Sequence, residues 1–384
     1  MNKEKKIAMV IKTEGLEYDD RVRKEILTVQ KLFPQVKYKI YAMLPDNKER
    51  EGMTKYGVPY KSIYISAREK YPSAQKTTLK AWQFYKAVKK DVKDYDAVWV
   101  ANVDAAFVPM FLKHKCIVWD LHELPLQFTG NWPMKQLLRH TFNRCKLVLH
   151  ANPQRADYLE SIGVVDDRSK HFALRNYPNF DDVDNARDEK FNQFVKWKGN
   201  RNCVYLQGLS EERRAAYESV AAVMKQDDLV AVVIGKMFPE AFNRLKEEFG
   251  EEYLNSKVFF VGKVPQLKIP QYVAECQLSL VFYKNVQPNN WFCEANRFYQ
   301  AVILGVPVVV GANPPMKELV ERYKFGVSIN SDGSVIEDIS SGITNVLDKY
   351  DYYKLNILKN RDNLLWSKQE DQIKKLVIRL FDTE

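Results

Sequence analysis

Residues 289 to 312 read NNWFCEANRFYQAVILGVPVVVGA, and they hold the densest set of chemically useful groups in the chain. A polar loop passes into a helix with small residues on one side. An apolar run from Val306 to Val310 follows, and it reads as a strand buried on both faces of a parallel sheet. The helix, expected over Asn296 to Leu304, turns its unpaired N–H groups and the positive end of its dipole toward whatever the loop holds, which favours an anion such as a diphosphate. Asn296, Arg297 and Gln300 fall on or within one turn of that start, placed to grip a nucleotide diphosphate and its ribose. Asn290 and Glu294, in the preceding loop, are further candidates on this side.

Other polar groups stand where strands are expected to end. Asp19-Asp-Arg-Val-Arg-Lys-Glu25 follows the first strand and opens the first helix. Two acids there cap the helix, and Glu25 can pair with Arg21 one turn away. Gly15, in the loop before them, allows close approach of backbone to a ligand. Asn102 and Asp104 follow another strand. His122 and Glu123 follow a third, in Trp119-Asp-Leu-His-Glu-Leu-Pro125. The second half opens with Tyr205-Leu-Gln-Gly208-Leu-Ser-Glu-Glu-Arg213-Arg214, and Gly262 ends a later strand in Val261-Gly-Lys-Val-Pro265. Asp182-Val-Asp184 has the D-x-D spacing of a metal-linked nucleotide site, but it sits in a polar linker and reads as solvated acids. No G-x-S-x-G, P-loop or G-x-G-x-x-G is present, so hydrolase, kinase and dehydrogenase readings lack support.

Alternating strand and helix signals must position these groups. Strands are expected at Lys6 to Ile11, Lys37 to Met43, Ala97 to Ala101, Ile117 to Trp119 and Leu147 to His150. Helices are expected at Asp19 to Phe33, Ser73 to Lys93 and Pro133 to Cys145. The turn-rich, polar stretch after Asn176 reads as a domain connection. The alternation then restarts at Asn202 and includes a helix over Ser210 to Met224. The expected architecture is two doubly wound, Rossmann-like α/β domains facing a cleft, with ligands at the carboxyl ends of the strands. Residues 1–178 form the first domain, 179–200 the linker and 201–365 the second. An amphipathic tail helix occupies 366–384.

Composition sets the outer limits. A chain of 384 residues, 46% hydrophobic and 28% charged, can bury more than one core. Five scattered cysteines without C-x-x-C suit a reducing cytoplasm, and neither they nor the five histidines show metal spacing. No apolar run is long enough to span a bilayer. The charge is lopsided: residues 1–180 carry 32 Lys and Arg against 20 Asp and Glu, or +12, which leaves 27 against 29, or −2, for the remainder. A half so basic suits an anionic membrane surface or an acidic acceptor. Nucleic acid is not expected, since no recognition motif accompanies the charge.

The segment 289–312 resembles the donor-site signature N-(R/K)-x-x-E-A…G-x-P-V-V of GT-B glycosyltransferases of the family-4 type, with Asn296, Arg297, Gln300, Ala301, Gly305, Pro307, Val308 and Val309 in those places. Gln300 stands where the family usually has Glu. Phe292 stands where it often has a second. The Asp19–Glu25 stretch resembles the family's D-x-R-V-x-x-E, and Asp120-Leu-His-Glu123 its D-x-H-E. Residues 205–214 resemble a Y-x-G-G-x-x-x-x-R-G turn, residues 262–265 a G-x-V-P loop, and Trp366-Ser-Lys-Gln-Glu its closing motif. The resemblance implies a retaining, metal-independent transferase with no cofactor, taking a UDP- or GDP-sugar as donor and a glycan or lipid-linked acceptor. It implies that the terminal helix crosses back to the first domain. It gives Arg213 and Arg297 to the leaving diphosphate, Gly15, Gly208 and Gly262 to the donor, Gln300 to the ribose, and His122 to the sugar or acceptor. Asn102, Asp104 and Glu123 would line the acceptor side. A cytoplasmic enzyme of bacterial surface polysaccharide or glycoconjugate synthesis, peripheral on the membrane, is the expected setting. A GT-B sugar-nucleotide epimerase and a non-catalytic nucleotide-sugar-binding partner protein are the alternatives.

Overall fold

The computed structural model describes residues 4–17, 19–71, 75–179 and 188–382. Its contacts divide the chain into two compact units, Met1–Asn176 with Lys368–Glu384, and Tyr177–Ser367. Asp182 and Asp184 of the D-x-D spacing lie outside the described residues.

The first unit is built on eight strands: β1 (Lys5–Lys12), β2 (Val36–Met43), β3 (Arg50–Met53), β4 (Pro59–Ser62), β5 (Ala97–Ala101), β6 (Ile117–Leu121), β7 (Leu147–His150) and β8 (His171–Ala173). Their order is β3-β4-β2-β1-β5-β6-β7-β8. All neighbours are parallel except β3 and β4. Strand order therefore reverses at β1, with β2 on one side and β5 on the other. β5, β6 and β7 are buried throughout, as strands covered on both faces must be. Side-chain caps fix where the helices begin. Asp19 accepts from the N–H of Val22, Asn131 from Met134 and Asn152 from Arg155. The terminal helix Glu370–Phe381 belongs to this unit. Its Ile373, Leu376, Val377 and Leu380 are buried, and Glu370 pairs with Lys31 at 2.7 Å.

The second unit carries six parallel strands: β9 (Asn202–Gln207), β10 (Leu229–Ile234), β11 (Val258–Gly262), β12 (Leu278–Val281), β13 (Val308–Val310) and β14 (Gly326–Ser328). The order β11-β10-β9-β12-β13-β14 reverses at β9. Two apolar layers sandwich the sheet. One gathers around Tyr205, Tyr272, Phe298 and Phe325, the other around Val220, Leu245, Phe282 and Ile343.

Two helices differ from expectation. The helix expected over Ser73 to Lys93 is Thr77–Val88, and Ser73 lies outside the described residues. The helix expected from Ser210 starts only at Ala216. A short 3-10 turn, Glu212–Arg214, precedes it, and Ala215 adopts a left-handed conformation (φ 52°) between the two. The short pair β3 and β4 has no counterpart in the strand pattern read from sequence. β3 is wholly exposed and its one large apolar residue is Met53, so it lacks the apolar alternation that marks a strand.

No helix among the described residues is long and apolar enough to cross a membrane.

Candidate functional site

In the second unit the topological switch lies between β9 and β12, and the most distinctive polar cluster stands at their carboxyl ends. Gly208 follows directly on β9, and its φ of +72° suits glycine. A Cβ at that position would lie 2.5 Å from Nη1 of Arg214 and 3.4 Å from Nη1 of Arg297. The missing side chain thus makes room for two guanidinium groups.

Arg297, the second residue of the helix Asn296–Ile303, is only 6% exposed. It donates to the carbonyl of Phe282 at 3.1 Å and to the Tyr283 hydroxyl at 3.3 Å. Its guanidinium also lies 4.9 Å from the Tyr283 ring centre. Among the described residues no carboxylate pairs with it. Arg214 donates to the carbonyl of Gly208 at 3.0 Å and lies 5.6 Å from the same ring. Its ion pair to Glu211 is long, at 3.6 Å. The Nε atoms of both arginines are buried without a hydrogen-bond partner. Burial pushes the Tyr283 phenol up, against the pull of Arg297. Two clustered cations, one of them buried without a counter-charge among the described residues, are costly unless an anion joins them.

Arg214 is the arginine of this pair that approaches Gly208 beside Arg297, whereas the sequence resemblance names Arg213 for the diphosphate. Arg213 ion-pairs with Glu211 and turns to a shallow pocket that it shares with Ser210, Phe238, Lys284 and Val286. The left-handed Ala215, just before the helix, accompanies the inward turn of Arg214, and sequence periodicity does not register it.

The remaining candidates of this unit fall around the same strand ends. Gln300 is half-buried, with its Oε1 3.2 Å from the Tyr205 hydroxyl, which also contacts Gln207. Asn296 is exposed at the helix start. Glu294 accepts from the Tyr299 hydroxyl, so its carboxylate braces the motif helix. Asn290 is 2% exposed, with a buried Oδ1 that lacks a partner. Asn313, absent from the sequence reading, donates to the carbonyl of Tyr283 at 2.9 Å and lies 3.4 Å from that of Asn290. Its position after β13 and before Pro314 is the signal that identifies it. Gly262 ends β11 with φ +73°, and its carbonyl accepts the N–H of Gly235 at 2.8 Å.

In the first unit the corresponding edge is organised around Asp120, the fully buried penultimate residue of β6. Arg21 grips it with two nitrogens, at 2.6 and 3.1 Å, and gives a third to the carbonyl of Leu174. Nε2 of His122 lies 3.0 Å from Asp120 Oδ2. The Arg155 side chain donates to the His122 carbonyl. Burial opposes ionisation of Asp120, yet the Arg21 charge and the hydrogen bonds from His122 and Arg21 hold its carboxyl well below the usual range. Glu25, 3.0 Å from Arg21, goes the other way. Burial and the Asp120 charge push it well above the usual carboxylate value, against the pull of Arg21. Sequence reading named His122 and the Arg21–Glu25 pair. It did not see that Asp120 joins them, because Arg21 and Asp120 are 99 positions apart.

The other first-unit candidates are bound into local structure. Asn102 caps the turn after β5 and accepts from the indole of Trp119 through its carbonyl. Asp104 pairs with Lys12 at 2.9 Å. Gly15 exchanges hydrogen bonds with Thr13, and Glu123 is exposed.

No family model matches the chain, and no curated protein matches it. Solved structures do. A sucrose-phosphate synthase from Thermosynechococcus elongatus is similar over 98% of this chain and 99% of that one, with 15% identity and a TM-score of 0.76. HepE from Anabaena, in complex with UDP and glucose, is similar over 97% and 99%, with 14% identity and a TM-score of 0.68. An α,α-trehalose-phosphate synthase (UDP-forming) from Burkholderia vietnamiensis is similar over 98% and 99%, with 11% identity and a TM-score of 0.71. The chain has the fold of GT-B glycosyltransferases, two parallel-sheet α/β domains matched over nearly their whole length.

Proposed function

We propose that this protein is a retaining, metal-independent glycosyltransferase that moves a sugar from a UDP- or GDP-linked donor to a glycan or lipid-linked acceptor. The observation that carries the reading is Arg297, a buried cation without a carboxylate partner among the described residues, beside Arg214 at a strand end that glycine leaves open. That arrangement fits the diphosphate of a nucleotide sugar. The structural neighbour HepE, with UDP and glucose, supports the same ligand class.

Charge accumulates on the leaving diphosphate as the bond from the sugar's anomeric carbon to phosphate oxygen breaks. Arg297 and Arg214 stabilise that charge, a task worth several kcal/mol in a site shielded from water. Gln300 holds the ribose, and Asn290, Asn296, Gly262 and Gly15 complete the donor contacts. The acceptor hydroxyl attacks from the face that the diphosphate leaves, forming the new C–O bond. Its proton passes to the departing phosphate oxygen, so configuration is retained. His122, held by Asp120, orients the sugar or acceptor, with Asn102, Asp104 and Glu123 on the acceptor side. Arg213 is a rim contact in this reading. The setting we propose is cytoplasmic synthesis of bacterial surface polysaccharide or glycoconjugate, at the inner face of the membrane.

Thermal unfolding against UDP, GDP, ADP, CMP and their common sugar conjugates, with and without EDTA, tests the reading. One nucleotide at roughly 100 times its Kd should stabilise by about 2.7 kcal/mol. The shift should be indifferent to EDTA and absent in Arg297→Ala. No shift with any nucleotide removes the donor site. Binding without sugar transfer to any acceptor, or interconversion of the free nucleotide sugar, replaces transfer with the binding-protein or epimerase alternative.

A further inference from the structure

The positive charge of the first unit is concentrated beside an exposed aromatic cluster. Helix Thr77–Val88 packs on helix Phe107–Phe111. Trp82 meets Phe107 and Phe111 edge to face, with ring centres 6.1 and 5.7 Å apart, and Phe107 lies 5.5 Å from Phe111. Phe84 and Val88 bury the inner side of the first helix, yet Leu79, Trp82 and Phe111 remain 39%, 38% and 41% exposed. Large apolar side chains held together at the surface mark an interaction site.

Lysines frame the cluster. Residues 75–90 contain five and residues 105–117 two, with no acidic residue in either stretch. Lys86 lies 5.4 Å from the Trp82 ring centre, and Lys89 lies 5.8 Å from that of Tyr85. Among the described residues, Lys76, Lys86, Lys90, Lys113 and Lys115 have no ion-pair partner. Elsewhere in this unit Lys5, Lys12, Lys31, Lys39 and Lys61 are each paired with a carboxylate.

We propose that this face docks on an anionic lipid surface. Leu79, Trp82 and Phe111 would enter the headgroup region while the lysines reach lipid phosphates. An aromatic patch with flexible cationic stems around it is the composition of an interfacial anchor. The interlocked rings offer no parallel slot in which a nucleobase could stack, and the cations are lysines, without the planar fork of arginine. The helix also packs on the turn Val103–Ala105 after β5, which carries the acceptor-side candidate Asp104. Docking here therefore favours a lipid-linked acceptor. That last step rests on the proposed transfer, whereas docking itself does not.

Cosedimentation of the full chain with vesicles, without nucleotide, tests it. Vesicles of phosphatidylcholine with phosphatidylglycerol should bind the protein, and vesicles of phosphatidylcholine alone should bind it about tenfold or more weakly. W82S/F111S should lose about tenfold in partitioning and leave only a residual, salt-sensitive association. K76E/K86E/K90E changes exposed positions only, so it should keep its thermal unfolding midpoint and lose binding. Absence of binding to anionic vesicles, equal binding to both vesicle types, or wild-type binding by the lysine variant would overturn the proposal. Because the assay contains no donor, its failure is separate from a failure of nucleotide binding.

Discussion

Each unit buries an arginine at the carboxyl edge of its sheet, and the two are treated in opposite ways. Arg21, in the first unit, is matched by Asp120 at 2.6 Å and Glu25 at 3.0 Å, and its third nitrogen donates to a backbone carbonyl. Arg297, in the second, is met by a carbonyl, a phenol and the ring of Tyr283, none of which carries a negative charge. The difference separates two uses of the same side chain. A buried cation with its counter-ions built in is already complete and holds β6 to the first helix. A buried cation without them is complete only when an anion arrives. The count of carboxylates around the guanidinium therefore distinguishes a brace from a binding group.

Substitutions at the two arginine sites should break that contrast in opposite directions. Arg297→Ala should lower sugar transfer by about two to three orders of magnitude, the loss typical of one electrostatic stabiliser, while the unfolding midpoint stays level or rises. Arg214→Ala should follow with a smaller loss, and Arg213→Ala should stay near wild type. Equal losses at 213 and 214, measured as kcat/KM, would return the diphosphate role to Arg213. In the first unit Asp120→Asn should cost roughly 3–5 kcal/mol in denaturant unfolding, because Arg21 would lose its main partner in a buried site.

Acid should expose a further first-unit feature. His150 and His171 stack at 5.1 Å with ring nitrogens 2.9 Å apart, both buried. Burial pushes His150 well below its usual value and His171 down to about 4. Folded-state values below the unfolded value mean that the unfolded chain takes up protons first. Their contribution is fully present above about pH 6.5 and is lost as pH falls toward 4, by roughly 3 kcal/mol for His171 alone. His171→Phe should flatten stability across that window, whereas an unchanged slope would place the titration elsewhere. The smallest effect is expected at Glu25. Its raised carboxyl value means that the charged form destabilises the fold above the unfolded value of about 4.3, so Glu25→Gln should leave stability at pH 7 level or raise it in denaturant unfolding.

Much of this layout was legible from order along the chain. Continuous apolar runs such as Ala97–Ala101 and Leu229–Ile234 identify strands covered on both faces, because period and burial are local properties. The acids before the apolar periodicity likewise locate a helix start at Asp19. The motif helix appeared where its residues predict, and Arg297 could be named from its place in the first turn.

What sequence could not decide was which groups meet. Asp120 becomes the hub of the first unit only when the sheet brings it to Arg21, and Asn313 reaches Tyr283 only across the strand ends of the second. Neighbouring arginines have indistinguishable chemistry in the sequence, yet the left-handed Ala215 accompanies the turn of Arg214 inward while Arg213 is left to Glu211. Strand and helix type follow from side-chain period, which a short stretch of chain contains in full. Whether a buried charge is neutralised depends on partners distant in sequence, and folding alone sets those distances.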